Sequence, residues 1–151
     1  MPDDATAPTI EARLRAIEDR LEIYHLIASH PPSAEGAQAI GAITQTPAHR
    51  QAIADGIAHF AGLPIIEIDG DSSIVTSYLQ LLYPDKQGEA RELANHGVSR
   101  GYRVHRVVAN RWELVRTPDG WKIARRTLRP LDSSPEGRAL LSQALEGYRT
   151  A

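Results

Sequence analysis

From Ile10 the chain repeats apolar side chains at steps of four and three: Ile10, Leu14, Ile17, Leu21, Tyr24 and Ala28. That spacing gathers them on one stripe of an amphipathic helix, with Thr9 placed to cap its start and Glu11/Arg15 and Arg15/Asp19 as pairs four apart on the other face. The helix is expected to stop near Ser29 or His30, because Pro31 and Pro32 lack amide donors and push the residue before them out of the helical region. The stretch PPSAEGAQAIGAITQT then has little periodicity, and only a short helical turn is expected around 37–43. A second helix is predicted over 47–58, with Pro47 in a first helical position and Ile53 and Ile57 on a common face, ended by Gly62 and Pro64.

The period then changes from helical to two. Leu63, Ile65, Ile66 and Ile68 predict a short strand, Asp69-Gly70 a tight turn with positive-φ residues, and 74–83 the partner strand. Beyond a polar loop, PDKQGEARELANHG, a long strand is predicted over 99–116. Thr117-Pro118-Asp119-Gly120 turns the chain, 121–128 returns antiparallel, and a last helix over 135–148 carries Leu140, Leu141 and Leu145. Helices first and then a four-strand antiparallel meander, with a long amphipathic helix to cover one face, define an α+β layer.

On the long strand, alternation puts Tyr102, Val104, Arg106, Val108, Asn110, Trp112 and Leu114 on one face and Arg103, His105, Val107, Ala109, Arg111 and Glu113 on the other. Trp112, with Trp121 and Ile123 on the returning strand, points the first set inward, although a β-bulge would exchange the faces. Asn110 and Arg106 then become buried polar groups in need of partners, candidates for orienting a carbonyl or oxyanion, unless they serve as an interstrand hydrogen bond and a surface arginine.

Composition narrows the classes. A length of 151 residues fits one domain, 1–151, with 1–8 expected as a flexible N-terminus, and leaves room to enclose a small apolar cavity. The absence of cysteine excludes disulfides, thiolate metal sites and a cysteine nucleophile. No secretory signal pattern and no apolar run of membrane-spanning length are present, so a cytoplasmic location without membrane insertion is expected. The net charge of −2 argues against a dedicated nucleic-acid binder. It is uneven, however: Arg100, Arg103, Arg106, Arg111, Arg116, Lys122, Arg125, Arg126 and Arg129 face only Glu113 and Asp119 between 100 and 129. These cations read as solvated strand faces, or as a patch for an anionic ligand or partner. Nucleotide-loop, serine-hydrolase and zincin motifs are missing, and the six histidines are scattered without ligand spacing, so neither a metal nor another cofactor is expected.

Three segments, RLEIYHLIASH, AHFAGLPIIEIDGDSSIVTSY and NRWELVRTPDGWKIARR, in that order and spacing, resemble the SnoaL-like branch of the nuclear transport factor 2-like superfamily over most of residues 9–130. The resemblance implies a cone-shaped α+β barrel, a curved antiparallel sheet wrapped on N-terminal helices around a deep apolar pocket, commonly dimeric through the sheet. Relatives include ketosteroid isomerase, scytalone dehydratase, polyketide cyclases, limonene epoxide hydrolase, a hexachlorocyclohexane dehydrochlorinase and the small subunits of ring-hydroxylating dioxygenases, so the fold alone selects no reaction.

In the dehydratase and dehydrochlorinase relatives a histidine before the "DGD" strand pairs with an acid just after the first helix. His59 matches that histidine, and Glu35 falls where the acid would be. A carboxylate on one imidazole nitrogen favours the protonated ring, leaving the other nitrogen to abstract a proton beside a carbonyl or leaving group. Without the resemblance, His59 reads equally as a histidine capping a helix C-terminus, Glu35 as an exposed loop acid, His25 as a helix-surface residue and His30 as a helix-terminal one. The chain departs from the family between Glu35 and Pro47, where only "GAQAIGAI" stands for a longer segment, and Pro31-Pro32 interrupts the helix. Tyr24 and Tyr78 are candidates for the pocket wall, with Arg106, Asn110 and Trp112 from the long strand.

Two functions of different class follow. One is a cofactor-independent lyase or isomerase acting on a small, largely apolar cyclic molecule, with His59 as base and Glu35 as its partner. The other is a non-catalytic small-molecule-binding or dimerisation module, with a dioxygenase small subunit as a further possibility that requires a large-subunit partner. A homodimer or higher homo-oligomer is expected in either case.

Overall fold

The computed structural model describes residues 8–29 and 47–150. Glu35, His30, the turn expected at 37–43 and the N-terminal stretch 1–7 lie outside the described residues. Helix α1 runs Ile10–Ser29 and helix α2 Pro47–Ala54. The strands are β1 (Ala58–Ala61), β2 (Ile65–Asp69), β3 (Ser72–Pro84), β4 (Arg91–Leu93), β5 (Gly97–Ser99), β6 (Tyr102–Thr117) and β7 (Gly120–Pro130), and helix α3 (Pro135–Thr150) follows.

The main sheet is antiparallel, ordered β1-β3-β6-β7, with β2 also paired to β3. β1 lies along Leu79–Leu82 and β2 along Ser72–Thr76, so the two short strands share one edge of the long β3. Among the described residues the sheet stays open and does not close into a barrel. Gly70 and Asp71 form the two-residue β2–β3 loop. Gly70 sits at φ 55 and Asp69 ends the strand, so one glycine supplies the positive φ expected of the pair.

Two sequence expectations change here. The second helix ends at Ala54, and Ala58–Ala61 is an edge strand; His59 is therefore no helix cap. Gly56, at φ 91, makes the break, since the left-handed region is open to glycine at little cost. The polar loop after β3 contains the small hairpin β4–β5, turned with Asn95 at φ 63.

The core lies between α1 and one face of the sheet. Ile23 and Ile27 pack with Ile66, Val75, Trp112, Leu114, Trp121 and Ile123, flanked by Leu26 and Ile68. The helix thus covers the sheet, but through a different side from the one its spacing marks. Ile10, Leu14, Ile17, Leu21 and Tyr24 remain exposed. What turns the helix is polar. Asp19, 7 % exposed, accepts from both terminal nitrogens of Arg116 (2.8 Å for Nη2) and from Trp121 Nε1 (3.1 Å). Glu22 Oε1 accepts from the Trp121 amide (2.8 Å), and Arg20 Nη1 donates to the Ile66 carbonyl (2.8 Å). These bonds fix α1 to the β6–β7 turn and to β2, and satisfy groups that would otherwise be buried without partners.

The opposite face of the sheet holds Thr76 and Ala109, also buried. Helix α3, which contacts β2, β3, β6 and β7 and buries Leu140 and Ala144 outside the α1 cluster, covers that face.

Candidate functional site

The face beneath α1 buries the polar residues Ser73, Ser77 and Asn110 among apolar ones, and two bulges decide which side chains reach it. On β6 the register shifts between the Leu81–Arg106 and Leu82–Val104 pairs, leaving His105 as the extra residue. Before the bulge the faces are exchanged. Arg103, paired with Tyr83, takes the inner side, whereas Tyr102 and Val104 leave the set that alternation assigned to them; after it, Arg106, Val108, Asn110, Trp112 and Leu114 are inward as expected. On β7 the shift falls between Arg125 and Ile123, with Ala124 extra, so Trp121, Ile123 and Arg126 all stand on the inner side.

Arg126 is the residue that the reading of the sequence left among the solvated cations. Opposite Trp112, its guanidinium carbon lies 4.4 Å from the Trp112 ring centroid, and its Nε donates to Asn110 Oδ1 at 3.0 Å. Burial lowers its pKa to about 10, which still leaves it charged at neutral pH. Asn110 is 1 % exposed and its Nδ2 has no hydrogen-bond partner among the described residues; neither does Oγ of Ser77, the residue paired with it on β3. A buried amide whose oxygen is held by a cation presents its N–H donors outward from that bond. Such a donor set is suited to a carbonyl oxygen or oxyanion. The only signal for Arg126 in the sequence was its place two residues beyond Ala124, which reads inward only once the bulge is known.

His59 pairs with Leu81, itself paired with Arg106, and so shares the inner face with Leu79, Ala61 and Val108. It is half-buried. Counting two strand spacings across and four residues along, its Cα lies roughly 16 Å from that of Asn110 on a flat sheet, and curvature shortens the span. Between them the floor is Leu79 and Val108, both buried. At the same end the Tyr83 and His105 rings meet edge to face with centroids 5.3 Å apart, and Arg106 is exposed.

The other expected residues scatter. Trp112 belongs to the hydrophobic core and carries the Arg126 guanidinium on its ring. Tyr78, paired with Ala109, is on the opposite face and half exposed, because it alternates with the inward Ser77. Tyr24 lines an open groove of about 1220 Å³ along the β2 edge, with Arg20, Ile66, Glu67, Ile74 and Leu145 among its walls; His59, Asn110 and Arg126 are not part of it. Among the described residues no three His, Cys, Asp or Glu side chains are grouped as a metal ion would require, and no helix is long and apolar enough to cross a membrane.

The fold, helices packed on an open antiparallel sheet, matches known proteins. Residues 27–127 match the model of the SnoaL-like domain, and the chain belongs to that family. An NTF2-like protein with a cystatin-like fold from Novosphingobium aromaticivorans, solved by crystallography, is 32% identical over 93% of this chain and 99% of its own, with a TM-score of 0.68. A protein of unknown function from Mycobacterium tuberculosis shares the fold at 17% identity, covering 86% of this chain and 94% of its own with a TM-score of 0.55. No curated protein matches the sequence significantly.

Proposed function

We propose that the protein is a cofactor-independent lyase or isomerase of the dehydratase type, acting on a largely apolar cyclic ketone. The observation that carries the reading is the buried Asn110 amide, its donors unpartnered and its oxygen held by Arg126, on the sheet face that also presents His59. In this reading the substrate lies along Leu79 and Val108 with its carbonyl at Asn110 and Arg126. His59 takes the proton from the carbon beside the carbonyl, and the electron pair moves onto the carbonyl oxygen as an enolate. The enolate collapses to a carbon–carbon double bond as the β-hydroxyl departs, receiving the proton from the imidazolium, so that the net change is loss of water. With a β,γ-double bond in place of the leaving group the ion is a dienolate, and the same proton returns to the γ-carbon as the double bond moves into conjugation, which is isomerisation. Glu35 is assigned as the carboxylate that orients the imidazole.

The test uses the full chain with a panel of cyclic β-hydroxy ketones in D₂O, following α-proton exchange and alkene formation by NMR. His59→Ala is expected to lower the rate by about 10²–10⁴-fold and Arg126→Leu by about 10²–10³-fold, with the melting temperature of His59→Ala nearly unchanged. Glu35→Gln should lower the rate as well. A panel processed no faster than by free imidazole, or a His59→Ala variant as fast as the parent, would overturn the reading. The groove at the β2 edge, remote from His59, favours the second reading, a ligand-binding module without turnover. Binding of panel members without exchange would support it.

A further inference from the structure

The outward side of α1 is apolar along nearly its whole length. Ile10 is 70 % exposed, Leu14, Ile17 and Leu21 are 54 % exposed each, and Tyr24 is 40 % exposed. At 100° per residue this stripe is centred roughly 150° around the helix from Asp19, Ile23, Leu26 and Ile27, the side that meets the sheet. We propose that the stripe is a self-association seam, on which α1 of one chain pairs in parallel and in register with α1 of a second copy.

Three observations select a second copy as the occupant. The alternating steps 4-3-4-3-4 through Ile10, Leu14, Ile17, Leu21, Tyr24 and Ala28 occupy the a and d positions of successive heptads, the narrow apolar seam by which one helix meets another. The seam is its own complement, as a two-fold interface requires, because leucine and isoleucine meet their own kind across the axis. Its flanks carry opposite charge: Glu11 and Glu18 border one side, Arg13 and Arg20 the other. Parallel pairing sets Arg13 against the partner's Glu18, twice by symmetry. Antiparallel pairing sets glutamate flank against glutamate flank and arginine against arginine, which is repulsive. Arg20 is already engaged with the Ile66 carbonyl, so Arg13 and Glu18 carry the choice of direction.

A 20-residue helix offers a strip about 30 Å long and about 10 Å wide, about 300 Å², well below the roughly 800 Å² per partner of a standard stable interface. The pairing is therefore weak and depends on concentration, with dissociation in the micromolar range. It also differs in place from the association through the sheet that the family resemblance implies.

Sedimentation of the full chain between about 1 and 200 µM tests the proposal. The parent chain is expected to pass from monomer to dimer over this range, and Leu14→Glu with Leu21→Glu to weaken association at least about a hundredfold, since like charges would meet across the axis. Circular dichroism and the melting temperature of the dilute double variant should match the parent, which separates lost pairing from lost folding. Arg13→Glu alone should weaken the dimer roughly tenfold, and adding Glu18→Arg should restore it. The chain has no cysteine, so Leu14→Cys supplies a single thiol that should oxidise to a disulfide-linked dimer only in the parallel, in-register pair, where the two copies of position 14 face each other. A monomer throughout the range, an oligomer that the double glutamate variant leaves intact, a dimer strengthened by Arg13→Glu, or failure of Leu14→Cys to cross-link in a chain that does dimerise would each overturn it.

Discussion

Replacing Ile23 and Leu21 by alanine, one at a time, tests which side of α1 belongs to the core. The two residues are separated by one position, yet Ile23 is fully buried and Leu21 is more than half exposed. Ile23→Ala removes three buried carbons, about 2.4 kcal/mol of transfer free energy at ~0.8 kcal/mol each. A residual cavity beside Val75, Trp112 and Trp121 adds to this, and the better helix propensity of alanine offsets a few tenths, so the net loss is about 3 kcal/mol. Leu21→Ala removes as many carbons, but from a side chain already half in water, and should lose less than about 1 kcal/mol. With a urea m-value of roughly 2 kcal/mol/M, Ile23→Ala should lower the unfolding midpoint by about 1.5 M and Leu21→Ala by under about 0.5 M. Unfolding is followed by far-ultraviolet circular dichroism over a protein dilution series, and the values are compared at the lowest concentration, where helix pairing between copies contributes least. If Leu21→Ala loses as much stability there as Ile23→Ala, the orientation of α1 described above is wrong.

Three other perturbations have defined outcomes. Arg116 beside Asp19 holds the Asp19 carboxyl below the ordinary aspartate value of 3.8, so the stabilisation it provides is complete above about pH 4 and is lost as pH falls through the lowered folded-state value. The melting-temperature gap between the parent and Asp19→Asn should accordingly be widest near neutrality and shrink below about pH 3.8; a gap constant from pH 7 to pH 2 would contradict this. Gly120→Ala combines a φ of 91 with a methyl group directed at the Glu22 carboxylate, and should destabilise by about 2–4 kcal/mol in a denaturant titration, the left-handed penalty plus the crowding. Gly70→Ala meets open space and should lose only the left-handed penalty of about 1–2 kcal/mol, and equal losses at the two sites would mean that Glu22 does not crowd Gly120.

How far the sequence could be read depends on whether a feature is set by local or by distant contacts. The β2–β3 hairpin was legible because a glycine flanked by alternating isoleucines is a local signal, and the β6–β7 hairpin because Pro118, Asp119 and Gly120 turn the chain between two long β-branched and aromatic runs. Asn110 and Trp112 were placed correctly on the inner face by alternation alone, as they lie on the regular side of the β6 bulge. Arg126 was not, because one extra residue in β7 reverses the faces of everything beyond it, and no residue type at Ala124 announces a bulge. His59 was assigned to a helix end because Ile53 and Ile57 keep helical spacing past the point where Gly56 breaks the helix.

By itself, then, the sequence determined the order of the long elements, the β2–β3 and β6–β7 hairpins, the family and the residue types available for acid–base chemistry. Tertiary structure decided which of those residues meet. Periodicity fixes a side chain's position around its own element, but the rotation of that element depends on groups far away in sequence. The apolar stripe of α1 shows this most directly: Asp19 and Glu22, bonded to Arg116 and Trp121 nearly a hundred residues on, turn Ile23 and Ile27 to the sheet and leave the better-spaced stripe outside. Burying the Asp19 carboxylate with three donors satisfies a charge that an apolar contact at the same place would leave unpaired.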